Sequence, residues 1–173
     1  FIGWYMVSSG LIDRVDVSHY RLSAHLLIAF IILTCLIWIF LNFIYKENKN
    51  FFINKTDIIS IKFLIFLIFL QIIFGAFVSG LDAGKLYQTW PLMNGSFFPD
   101  DINFRNYNEF LNFNDRSVVQ FIHRNLAYLI FLLIIYIGYL IKKFNNVSLY
   151  KPYYYLLFFI FIQIFLGILA LVR

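Results

Sequence analysis

The sequence predicts an all-α polytopic membrane protein, a transmembrane helix bundle. Three observations carry that prediction. Of 173 residues, 62% are hydrophobic and 13% charged, a balance foreign to soluble domains of this size. The apolar residues gather in four complete runs, each long enough to cross a hydrocarbon core of about 30 Å. Lysines cluster in the short connectors between runs, whereas the longest connector is mainly acidic.

Taken in order, residues 1–12 read as the last turns of a helix whose start precedes the sequence, since residue 1 is Phe rather than Met. Gly3 and Gly10 allow close helix approach, and Trp4 and Tyr5 suit packing or an interface belt. A short polar loop follows, with Ser18 as N-cap of the next helix. The first complete span is 20–45. Residues 46–57 form a polar connector with Lys46, Lys49 and Lys55. The second span is 58–79, where Lys62 can snorkel and Gln71 shares a late face with Gly75. The glycines of G-A-F-V-S-G-L-D-A-G then end the helix.

The loop 80–116 is the longest segment outside the spans and is too hydrophobic for disorder. Its aromatics suit a membrane surface or the cap of a pocket; the plainer reading is a connector. The third span, 118–141, leads through Lys142, Lys143 and Lys151 to the fourth, 153–172, which Pro152 begins. Gln163 and Gly167 repeat the Q-x-x-x-G spacing of Gln71 and Gly75, a weak hint of duplication.

The net charge of +5 is assigned to connectors on the inner face of a membrane, and no nucleic-acid partner is expected. The long loop carries Lys85, Arg105 and Arg116 against Asp82, Asp100, Asp101, Glu109 and Asp115. The positive-inside rule therefore puts the lysine connectors in the cytoplasm and the loop outside. Cys35 lies alone in an apolar run and offers neither a disulfide nor a metal cluster.

The chemistry-bearing stretch is S-V-V-Q-F-I-H-R-N-L-A-Y, 117–128. Here His123 sits within a membrane span, beside Arg124 and three residues after Gln120. Ionisable groups at that depth are costly and face a bundle interior. A neutral imidazole there can bind a metal, most plausibly haem iron; the plainer reading is a histidine bonded to a neighbouring helix. His25 repeats the pattern, with Arg21 four residues before it on one face. Both spans start at the outer side, so both imidazoles sit at similar depth, with cations placed to meet haem propionates. His19 is read as a loop residue that cannot share a pocket with His25 on a regular helix.

The segments G-W-Y-M-V-S-S-G-L, V-S-H-Y-R-L-S-A-H-L, G-A-F-V-S-G-L-D-A-G-K-L-Y-Q-T-W-P-L-M-N-G, P-D-D and V-Q-F-I-H-R-N-L-A-Y resemble the haem A synthase family, of the mitochondrial and proteobacterial branch. The likeness runs in the same order from Gly3 to Arg173. It implies eight transmembrane helices in two similar four-helix halves. Residues 1–45 would end the first half, 46–57 would join the halves, and 58–173 would form most of the second. Helices one, two and eight would lie outside the sequence.

The resemblance also implies four histidines, two per half, each pair holding one haem. His25 matches the second histidine of the first half and His123 the first of the second; the residues alone left open a single haem between them. The family carries a catalytic Glu three residues before its first histidine. At the matching place in the second half this chain has Gln120, which cannot act as a general base. The second half is thus expected to hold haem b as cofactor and the first the substrate, haem O. The catalytic Glu is expected outside the sequence. Metal ligation is then expected of His25, to the substrate haem iron, and of His123, to the haem b iron, with Arg21, Arg124 and Gln120 as further cofactor-binding residues.

The implied reaction oxidises the C8 methyl of haem O to a formyl group, giving haem A for cytochrome oxidase. A haem O synthase and further copies of the chain are candidate partners, and the electron partner stays open. The expected location is the bacterial inner membrane or its mitochondrial equivalent. Another branch of the family carries a cysteine pair in the outer loop; the loop here has none. Two other classes remain open at this point: a bis-histidine b-type membrane cytochrome in quinol-linked electron transfer, and a transporter or structural bundle without haem.

Overall fold

The structure, a computed structural model, describes residues 2–8, 17–44, 55–102 and 110–172, with backbone alone for Ile2 and 55–57. Expectations for Gly10, Asp13, Arg14, Asp16, Lys46, Lys49, Arg105 and Glu109 fall outside these residues. Five α-helices are described: α1 (Ile2–Ser8), α2 (His19–Ile44), α3 (Lys55–Gly80), α4 (Arg116–Lys143) and α5 (Tyr150–Val172). Short 3-10 turns lie at Ala83–Lys85 and Val147–Leu149. The chain is a multi-pass membrane protein: α2, α3, α4 and α5 with its leading turn are each long and apolar enough to cross a bilayer.

α3 is central, with α2 against one side and α4 against the other. Leu64 and Leu67 of α3 meet Ile130, Ile134, Ile137 and Ile141 of α4, all buried, and Tyr153, Leu156 and Ile160 of α5 lean on that seam. A Cβ at Gly138 would collide with the hydroxyl end of Tyr153, so a glycine is what lets that side chain of α5 lie against α4. The remaining faces of α2 and α5 carry exposed large apolar side chains, among them Phe43 at 85% exposure, Trp38 and Phe159. In a bilayer such faces meet acyl chains, and fit rather than water exclusion holds the helices together.

The start of α2 and the end of α3 meet closely. A Cβ at Gly80 would lie 2.8 Å from His19 Cβ and 3.0 Å from its Cα. His19 is therefore not a loop residue. It opens α2, with the Ser18 carbonyl accepting from Leu22 N–H at 3.0 Å, and its buried ring stands edge-on to Phe77 at 5.1 Å. The first helical bond, to the Ser18 carbonyl, already encloses His19, which polarity alone did not reveal.

At the same end of the bundle, the segment after α3 folds back onto α4. Tyr87 and Met93 are buried against Phe121, and Phe97 stands edge-on to Phe121 at 5.9 Å while Phe98 tilts against it at 5.6 Å. The 93–96 turn closes through Met93 N–H to the Ser96 carbonyl at 2.8 Å. Asp115 then caps α4, accepting from Ser117 N–H at 2.8 Å and more weakly from Val118 N–H at 3.4 Å. The described part of the loop up to residue 102 is thus folded onto the first turns of α4 and is not a plain connector.

Candidate functional site

His123 projects from α4 onto the late turns of α3, where two residues one helical turn apart receive it. Gln71 Nε2 lies 3.3 Å from His123 Nε2. A Cβ at Gly75 would stand 3.2 Å from His123 Cε1, so the imidazole edge rests against bare backbone. The other ring nitrogen, Nδ1, is buried with no hydrogen-bond partner among the described residues. Gln71 Oε1 is likewise buried and unpaired. A half-buried imidazole that meets an uncharged amide stays a neutral donor, the form that binds a metal. Among the described residues no three His, Cys, Asp or Glu gather to bind a metal, so each histidine would offer a single bond.

Arg124 points to the loop. Its Nη2 donates to the Tyr87 carbonyl at 2.6 Å and its Nη1 to the Thr89 carbonyl at 2.9 Å, with the Leu92 carbonyl at 3.5 Å. Its Nε is buried with no partner among the described residues. Gln120, only 2% exposed, donates from Nε2 to the same Tyr87 carbonyl at 3.0 Å. Residues four apart share a helix face, so both reach one oxygen.

Below these lies a second latch. The Tyr87 hydroxyl donates to Asp101 Oδ1 at 2.6 Å, and the Ser117 hydroxyl donates to Asp101 Oδ2. Desolvation pushes the Asp101 carboxyl up. Hydrogen bonds from Ser117, Tyr87 and its own backbone outweigh it and hold the group below its ordinary 3.8. Desolvation and the facing carboxylate push the Tyr87 phenol above its ordinary 10.0.

His25 lies in a second, separate setting. It faces α1, where a Cβ at Gly3 would stand 3.2 Å from His25 Cε1 and 3.8 Å from each ring nitrogen. Arg21 sits over the Tyr5 ring of α1, its Cζ 5.8 Å from the centroid. His25 and His123 each lie about two turns in from the start of their helices.

The structure thus sets Gln120 and Arg124 against the loop, His123 against α3, and His25 and Arg21 against α1. Reading the sequence missed Gln71, Gly75 and Gly3 as histidine neighbours, and Tyr87 and Asp101 as loop anchors. The Q-x-x-x-G spacing was the one available signal for Gln71 and Gly75, because it fixed their shared face without showing what the face meets.

Comparison with known proteins follows this geometry. Residues 1–173 match a family model described as cytochrome oxidase assembly protein. A haem A synthase of Pelagibacter ubique is 48% identical over 99% of this chain and 50% of its own length. Haem A synthases of Wolbachia pipientis (subsp. Culex pipiens) and Flavobacterium psychrophilum are 44% and 43% identical over 99% of this chain, covering 50% and 51% of their own lengths. The chain therefore spans about half the length of these relatives. No solved structure matches.

Proposed function

Because the chain belongs to the cytochrome oxidase assembly protein family, that of the haem A synthases, we propose that it forms about half of a haem A synthase acting on haem O. The observation that carries this reading is the pair of half-sites. His25 rests on α1 and His123 on α3, each against a glycine at the same 3.2 Å. The two imidazoles face different neighbouring helices, which supports assigning each to its own haem. His123 fits such a group as a neutral imidazole at membrane depth whose Nε2 meets only an uncharged amide, that of Gln71, at 3.3 Å.

In this reading His123 would hold haem b and His25 would hold haem O, each through its imidazole. Haem b, when bound, supplies one-electron redox chemistry. The chain's own residues bind and orient. Gln71 holds the His123 ring, and Gln120 and Arg124 fasten the loop above it. Arg124 keeps a donor, Nε, for a haem propionate, and Arg21 offers its cation beside His25. Gln120 stands one turn before His123 with an amide that takes up no proton, so no base chemistry is assigned to this half. The catalytic Glu belongs to the remainder of the full-length protein. The charge of the connectors favours the loop on the outer side of the membrane.

The test is pigment extraction from the purified full-length protein, with the haems separated by chromatography. Haem b accompanied by haem O or haem A is the expected result. Haem b alone would support a b-type cytochrome instead, and a colourless protein would remove the reading.

A further inference from the structure

Two glycines of this fold receive a histidine from the next helix along the chain. A Cβ at Gly3 of α1 would stand 3.2 Å from His25 Cε1 of α2, and one at Gly75 of α3 the same distance from His123 Cε1 of α4. Gln71, four residues before Gly75, meets the same ring as Gly75 does. α5 repeats this Q-x-x-x-G spacing at Gln163 and Gly167, but among the described residues nothing lies within 4 Å of a Cβ at Gly167. We propose that the face of α5 carrying Gln163 and Gly167 is the seat of a further helix of the full-length protein, from outside residues 1–173, which sets a histidine against Gly167. The inference goes beyond the proposed activity and rests on one part of that reading only, that the chain is about half of a longer protein.

The first support is depth. Gly138 meets Tyr153 and Phe131 meets Phe161, the latter rings 5.6 Å apart, so α4 and α5 run antiparallel. From Phe161 on to Gly167 is about 9 Å of helix, and from Phe131 back to His123 about 12 Å. Gly167 therefore lies within about one turn of the level of His123. The second support is polarity. Gln163 is exposed in a membrane span, among the exposed apolar side chains of Ile162, Phe165 and Leu166. An amide facing acyl chains is costly, and such groups turn to a neighbouring helix instead.

The third support is shape. Residues four apart share a helix face, so the Gln163 amide and the bare backbone of Gly167 are offered to one neighbour. Small residues are what lets membrane helices approach closely. Gly138 shows the contrast: it receives Tyr153 rather than a histidine, and Ile134, not a glutamine, stands four residues before it. A helix to fill the seat is available, since the chain covers only 50% of the length of its Pelagibacter ubique relative.

The experiment uses the full-length protein in membranes. Gln163→benzoylphenylalanine, irradiated and digested, should cross-link within one chain to a peptide from outside residues 1–173 that carries a histidine. A cross-link to a second copy, to residues within 1–173, to a peptide without histidine, or to lipid alone would overturn the proposal. Phe165 lies two residues from both Gln163 and Gly167, about 200° round the helix, so Phe165→benzoylphenylalanine should not capture that peptide; its capture there would also overturn the proposal. The signs of two stability changes give a second readout, taken as melting temperatures in detergent. On a lipid-facing helix Gly167→Ala stabilises, because alanine is the better helix former, and Gln163→Leu stabilises by removing an amide from hydrocarbon. In a filled seat the added methyl meets the imidazole and the lost amide leaves its partner unpaired, so both variants should melt lower. A rise or no change in either would overturn the seat. Should the photoreactive variant fail to fold, the two melting temperatures decide alone. A wild-type protein that holds no haem would overturn the functional reading and not the seat, because neither readout needs pigment.

Discussion

Arg124 donates to the backbone carbonyl of Tyr87 at 2.6 Å, across 37 residues of chain. That bond ties the charged neighbour of His123 to the loop. The two adjacent residues face different partners, His123 the late turns of α3 and Arg124 the loop.

Removing the guanidinium should free the loop. Arg124→Ala leaves the Thr89 carbonyl without its donor and the Tyr87 carbonyl with Gln120 alone. A charge-assisted bond of this kind contributes about 1.5–3 kcal/mol. Limited proteolysis should show faster cutting within residues 86–98, with a lower melting temperature. Arg124→Lys should recover only part of this, because an ammonium cannot fork across two carbonyls. Equal protease resistance in wild type and Arg124→Ala would contradict the anchoring role.

Gln120 shares the Tyr87 carbonyl and, in the proposed reading, belongs to the half that holds haem b for electron transfer. Gln120→Ala should cost stability modestly, by about 0.5–1.5 kcal/mol for one neutral bond, and lower haem b retention slightly. Gln120→Glu should not create a second oxidising site. Haem A yield in membranes, with haem b content as control, measures both. A collapse of haem A formation in Gln120→Ala at full haem b occupancy would mean that the two halves are assigned the wrong way round.

The Asp101 latch gives the loop a pH range. The folded carboxyl is held below 3.8, so its contribution is complete above that value and is lost as pH falls through the lower folded one. The Tyr87 phenol is held above 10.0, so its contribution is complete below 10.0 and is lost as pH rises through the higher folded value. Loop protection should accordingly be flat between these limits and fall outside them. Amide hydrogen exchange across 86–102 would show this, and Asp101→Asn should abolish the acid limb. An acid limb that persists in Asp101→Asn would assign the titration to another group.

The fold was readable because lipid imposes long apolar runs, and helix is the structure that satisfies their backbone within one run. The edges were less readable. α3 begins at Lys55 and α4 at Arg116, outside the apolar spans 58–79 and 118–141, because polar residues can continue a helix beyond the hydrocarbon and Asp115 caps one of them. His19 was misread for the same reason: hydropathy cannot tell a capped first turn from a loop. His25, His123 and Arg124 stood out as costly groups at membrane depth. What meets them did not, since Gln71, Gly75 and the Tyr87 carbonyl reach them only through tertiary contacts. The loop's own folding, Tyr87 to Asp101 and Asp101 to Ser117, is likewise non-local and leaves no periodic mark in the sequence.

The central claim is that His25 and His123 serve different haems. It is tested most directly by haem content in full-length His25→Ala and His123→Ala, each purified and its haems quantified separately. His123→Ala should lose haem b and keep most substrate haem, and His25→Ala should do the reverse. Loss of the same single haem from both variants would contradict the account.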